Sequence, residues 1–257
     1  MLAHDPHVLM TLSVALLFAA IFLFGGRVAY RPGQKGRRRF LSFAAGISVG
    51  YTFVHVLPIL GEMREFAHSP DDFYRVFPEY SAYLWAMAGF LGFLGLESMV
   101  TRPRRGTENR TGDDGGAVPW RLWVHIGGFA VYAWLLTYMM VWTGKSTLAL
   151  CLYGVAMGMH IFPITCNLSS HCQEVYDRRG AFLLALASLA GWASGLALDI
   201  PKPILLNMVA VVAGGVILNT AIAELPKEKE SRFWAFLTGA AVYSALLLFL
   251  SHLEKGG

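Results

Sequence analysis

Charge is scarce in this chain: Asp, Glu, Lys and Arg make up 15% of its 257 residues, where a soluble domain carries about a quarter. Cysteine is scarcer still, with Cys151, Cys166 and Cys172 the full complement and no CxxC pair among them. That excludes a disulfide framework and a paired-thiol zinc module. Lys and Arg are clustered in short stretches between apolar runs, which points to topology signals rather than to a nucleic-acid surface. The first residues, MLAHDPH, lack a basic region, and the apolar run behind them is long enough to span a bilayer. It is expected to be retained as a first helix rather than cleaved as a signal.

In place of charge the chain has apolar residues, 55% of the total. They fall into eight runs of roughly the 20 residues that a spanning helix needs. The runs cover residues 8–26, 40–60, 82–100, 120–142, 146–168, 181–199, 203–224 and 232–252. The expected fold is therefore all-α, a single transmembrane helix bundle over residues 1–257. The stretch 101–119, TRPRRGTENRTGDDGGAVP, is polar and Gly-rich and is expected to be a disordered loop. DIPKP, between the sixth and seventh runs, is expected to be a tight extended link, since each proline resists helix continuation. Gly46 and Gly50, and Gly214 and Gly215, are read as sites of close helix packing.

Orientation follows from the basic residues. With the first loop in the cytoplasm, that side receives all the Lys and Arg of the chain except Arg64, Arg75, Lys145, Lys202 and Lys255. Both termini then lie outside, and the expected location is a bacterial inner membrane. The lipid bilayer is the expected partner, nucleic acid is not, and a homodimer is left open.

Ionisable groups within spans each need a reason, because the bilayer centre penalises them by at least a few kcal/mol. Two stretches, FVHVLPI around His55 and MGMHIFPI around His160, each set a histidine three residues before a proline. Pro163 is expected to kink the fifth span beside His160. Asn167, His171 and Glu174 follow His160 at offsets that keep all four on one helix face. His125 lies in the inner half of the fourth span. For His125 and His160, ligand roles and plain interhelical hydrogen bonding weigh about evenly. For His55, the everyday reading is a half-solvated interface residue. His171, Glu174 and Glu224 read first as residues marking helix ends. Cys166, near His171, is a weak candidate soft ligand, and Asn219 is a further polar residue near the inner end of its span.

The order of these features resembles the Zrt/Irt-like (ZIP) metal permeases. The second span, SFAAGISVGYTFVHVLPIL, looks like that family's Gly-containing second helix with its His-x-x-Pro ending. AGFLGFLGLES is similar to its third helix, and VAGGVILNTAIAELPKEKESRFWAFLTGAAVYSALL to its last two. The resemblance implies eight spans with both termini outside and a long cytoplasmic loop between spans three and four. It also implies alternating access by two rocking bundles. In the family, a histidine and, one turn on, an Asp, Asn or Glu from each of helices four and five hold metal. Here the positions one turn after His125 and His160 are Phe129 and Ile164. Ile59 stands where an acid follows the proline, and Gly191 or Trp192 where the sixth helix offers Glu.

A dehydrated divalent cation in a low-dielectric pore needs carboxylates to offset its desolvation. Two neutral imidazoles suit zinc but do not complete a site. Three functions follow. One is a divergent permease that holds zinc or a similar divalent cation at His125, His160, Asn167, His171 and Glu174, with His55, Cys166, Asn219 and Glu224 along the path. The ion is then cargo, and no resident cofactor is expected. The second is a ZIP-like protein that has lost metal transport and serves as a sensor, scaffold or carrier of another solute. The third, a zinc hydrolase in the membrane, ranks last, because no His-x3-His pair or Asp-bearing span core is present; an enzyme is not expected.

Overall fold

Lipid offers no hydrogen bonds, so a spanning chain must satisfy its backbone internally, and helices do this segment by segment. The computed structural model describes residues 6–29, 35–66, 80–101, 120–143, 146–171, 176–224 and 233–256. They are helical with short links, and no strand occurs among the described residues. Residues 102–119, expected to be a disordered loop, lie outside them.

The helices are α1 (Pro6–Ala29), α2 (Lys35–Tyr51), α3 (Leu57–Phe66), α4 (Ser81–Thr101), α5 (Trp120–Thr143), α6 (Thr147–His171), α7 (Ala181–Ala197), α8 (Lys202–Glu224) and α9 (Phe233–Gly256). Seven segments are long and apolar enough to cross a bilayer, as befits an integral membrane protein. Arg39–Gly61, which joins α2 to α3, is one of them. The remaining apolar helix, α7, has 17 residues, about 25 Å at the usual rise per residue.

A wider π-type turn, Thr52–Val56, runs between α2 and α3, with helical backbone at both borders (Tyr51 −60°/−46°, Leu57 −63°/−42°). Pro58 follows at once. It has no N–H to give to the preceding turn, a natural place for the helix to change its hydrogen-bond register. Pro163 lies inside α6, which stays helical from Thr147 to His171. After α7 the backbone becomes extended at Leu198 (−117°/123°). The Tyr138 hydroxyl donates to the Leu198 carbonyl at 2.9 Å, and α8 begins just beyond Pro201. The link is therefore shorter than DIPKP: Asp199, Ile200 and Pro201 lie outside the helices, while Lys202 and Pro203 open α8, whose first turn tolerates a proline.

The packing sorts the helices into two groups. The closest partnerships are α1 with α6 and α7, α5 with α7, α2 with α9, and α4 with α8. One bundle is therefore α1, α5, α6 and α7; the other is α2–α3, α4, α8 and α9. Inside each bundle the backbones touch. A Cβ on Gly46 would strike the Phe236 carbonyl, and one on Gly239 the Phe43 carbonyl, where α2 meets α9. Gly89 faces the Val211 carbonyl and Gly214 the Ala86 carbonyl between α4 and α8, while Gly191 faces the Trp134 carbonyl between α7 and α5. In lipid, where apolar surface gives no drive to associate, such backbone approach through small residues holds helices together.

Between the bundles α2 meets α6, α4 meets α5, and α8 meets both α5 and α6. Here large side chains take over. Phe93 of α4 packs against Phe129 and Tyr132 of α5 with ring centroids 5.5 and 5.0 Å apart. The Tyr243 hydroxyl of α9 donates to the Leu152 carbonyl of α6 at 2.7 Å.

Candidate functional site at the bundle interface

Several buried hydroxyls return their proton to their own helix: Thr52 to the Ser48 carbonyl, Thr137 to Ala133 and Ser188 to Leu184. This is how Ser and Thr satisfy themselves in a helix. Ser48 and Thr220 do otherwise. Ser48 reaches across to His160, and Thr220 reaches Ser48.

His160, on α6, is buried. Its Nδ1 lies 2.8 Å from the Ser48 hydroxyl of α2, and its Nε2 lies 2.9 Å from the Tyr132 hydroxyl of α5. Ser48 continues to the Thr220 hydroxyl of α8 at 3.1 Å. Two residues come from each bundle, so the row Tyr132–His160–Ser48–Thr220 bridges them. A neutral imidazole has one N–H and one lone-pair nitrogen. One flanking hydroxyl therefore accepts while the other donates, and the tautomer decides which. Either way, both nitrogens that could ligate a metal are occupied by hydroxyls.

His125 is also buried but faces elsewhere. Its Nδ1 is 3.3 Å from the Leu96 carbonyl, and its Nε2 is 3.9 Å from Glu97 Oε2, beyond hydrogen-bond length. Both partners belong to α4. The contacts that link the two imidazoles run through rings: His125 to Phe129 (centroids 5.0 Å), Phe129 to Tyr132 (6.4 Å) and Tyr132 to His160 (6.0 Å). Phe129 and Ile164 are themselves buried. Hydrocarbon therefore fills the positions one turn after each histidine. Among the described residues no three His, Cys, Asp or Glu side chains group closely enough to hold a metal ion.

The other residues singled out from the sequence make no metal-holding group among the described residues. Cys166 is buried and in no disulfide among the described residues, and Asn167 beside it is partly buried. Asn219 adjoins Thr220, and its amide Nδ2 is buried without a hydrogen-bond partner. His55 is exposed, on the π turn, with its ring 5.0 Å from that of Tyr51. His171 and Glu224 are the last residues of α6 and α8, and their side chains lie outside the described set, as does all of Glu174.

Sequence reasoning missed Tyr132, Ser48 and Thr220. Tyr132 had a signal: it lies seven residues after His125, with Phe129 at four, so all three share a helix face. Ser48 and Thr220 had none, because a lone hydroxyl in an apolar helix is normally self-satisfied. Comparison with protein-family models and with curated proteins finds no match to this chain.

Proposed function

We propose that this chain is a membrane protein of ZIP-like architecture that has lost divalent-metal transport and serves as a sensor, scaffold or carrier of another solute. The observation that carries this reading is the pairing of both His160 ring nitrogens with hydroxyls. To ligate a cation, His160 must give up at least one buried hydrogen bond. The incoming ion would then meet Phe129 and Ile164, not carboxylates, and the cost of stripping a divalent ion of water goes uncompensated. The division into two glycine-packed bundles that meet through side chains supports a carrier, since rigid bodies joined by side chains suit rocking motion.

The test is calorimetry and flux. The purified protein is expected to bind no stoichiometric zinc, and liposomes containing it to take up zinc and other first-row divalent ions no faster than empty vesicles. Saturable zinc uptake that vanishes in His160→Ala would overturn this reading.

That result would favour a divergent zinc permease, the second reading. Its support is the position of His160 where four helices of two bundles meet, with His125 near the Glu97 carboxylate. On that reading His125, His160, Asn167, His171 and Glu174 hold the ion, and His55, Cys166, Asn219 and Glu224 mark its route. Under either reading α7 completes an eight-span topology, since Gly180 has helical dihedrals (−63°/−47°) that lead the preceding turn Tyr176–Gly180 into it. On either reading the protein sits in a bacterial inner membrane with both termini outside the cytoplasm, and a homodimer is compatible with this arrangement.

A further inference from the structure

A second feature lies between the bundles, away from His160. A cavity of about 150 Å³ sits where the π turn of α2 and the end of α9 face the end of α5 and the start of α6. Its walls include Tyr51, His55, Tyr153, Met140, Leu148 and Ser251, and leucines and an alanine complete them; among the described residues no Asp, Glu, Lys or Arg lines it. Tyr51 is the hub of its rings. Centroids lie 5.0 Å away at His55, 6.3 Å at Tyr153 and 6.4 Å at Tyr243, the two tyrosines roughly edge-on to it. Tyr153 and Tyr243 commit their hydroxyls to the Leu136 and Leu152 carbonyls. Among the described residues the Tyr51 hydroxyl makes no hydrogen bond.

We infer that this cavity binds a small uncharged aromatic alcohol, of about the size of phenol. Volume sets the size: roughly 150 Å³ accommodates one benzene-sized molecule. The lining sets the charge, because a charged ligand would lose its hydration with no opposite charge to receive it. The rings and the Met140 thioether favour an aromatic body, through edge and sulfur contacts. Beside the His55 ring and Ser251, the Tyr51 hydroxyl supplies a polar partner that both donates and accepts, which a ligand hydroxyl answers. The π turn Thr52–Val56 brings Tyr51 and His55 to the same wall, and such turns are frequent at functional sites. The inference goes beyond the metal question: the cavity shares His55 with the ion route named above but none of the proposed ion ligands, and the test reads binding of an uncharged molecule.

The experiment is ¹⁹F NMR of 4-fluorophenol and of fluorobenzene titrated into the full chain in detergent. Wild-type protein is expected to give saturable one-to-one shifts for both. Tyr51→Phe keeps the ring and loses the hydroxyl. It should weaken 4-fluorophenol by roughly fivefold, the worth of one neutral hydrogen bond, and leave fluorobenzene unchanged. Leu148→Trp fills the cavity from its partly exposed rim and should abolish both; if it does not fold, Ser251→Trp serves the same purpose. Shifts that rise linearly with ligand, or persist in the filled variant, reflect partitioning into detergent and overturn the site. Equal affinity for 4-fluorophenol in wild type and Tyr51→Phe overturns the assignment of an alcohol.

Discussion

Ser48 and His160, 112 residues apart in the chain, meet at 2.8 Å across the boundary between two helix bundles. Tyr132 closes the other side of the imidazole at 2.9 Å. Removing either hydroxyl leaves a buried ring nitrogen without a partner. Ser48→Ala and Tyr132→Phe are each expected to destabilise the protein by about 1 kcal/mol, the range for hydrogen bonds between helices in lipid. Reversible unfolding in mixed micelles measures this. A double-mutant cycle of either change with His160→Ala should show coupling of about 0.5–1 kcal/mol; additive losses would mean that the bridge contributes nothing.

Carboxylates introduced at the hydrocarbon positions should create a metal site at the imidazoles. Phe129→Asp with Ile164→Asp is expected to lower stability by several kcal/mol without metal, because unpaired carboxylates are buried. Zinc should then raise the melting temperature of the variant by mass action and leave that of the wild type unmoved. A thermal-shift series with and without zinc checks both arms.

Glycines divide by what they face. Gly46→Ala forces a methyl group into the Phe236 carbonyl and is expected to cost about 1–3 kcal/mol. Gly127, in the interior of α5, has open space around the point that an added methyl group would occupy, with no neighbour within 4 Å. Gly127→Ala should therefore stabilise by up to about 1 kcal/mol through helix propensity alone. Melting temperatures of the two variants should move in opposite directions.

Thr165 is fully buried, and among the described residues its hydroxyl has no hydrogen-bond partner. Thr165→Val keeps the shape and removes the orphan, so it is expected to be neutral or stabilising by about 1 kcal/mol. Ser48→Ala, also the loss of a buried hydroxyl, should do the reverse. Unfolding midpoints that drop equally in both would contradict the hydrogen-bond assignments.

The helices were legible because bilayer physics leaves so few options. An apolar run such as 120–142 can only become a helix, and it lies within α5. The glycines at 46 and 214 were legible as packing points, because little else recommends glycine within a spanning helix. The depth of His160 followed from its place in its run, and its neighbours Phe129 and Ile164 from the one-turn spacing. Its true partners were not legible. Ser48 is joined to it over 112 residues of chain and Thr220 to Ser48 over 172, and no local periodicity encodes which helices adjoin. The Tyr51 cavity was hidden for the same reason, since its walls come from four separate elements.

The pairing of α2 with α9, α4 with α8 and α5 with α7 is nested, so the chain retraces its own path in reverse. During synthesis α2 emerges early, yet its glycine-lined face stays uncovered until the final helix is inserted. Every inner pair can close before it. A nascent chain halted ahead of Phe233 would carry an open seam along α2, ready to recruit the wrong neighbour.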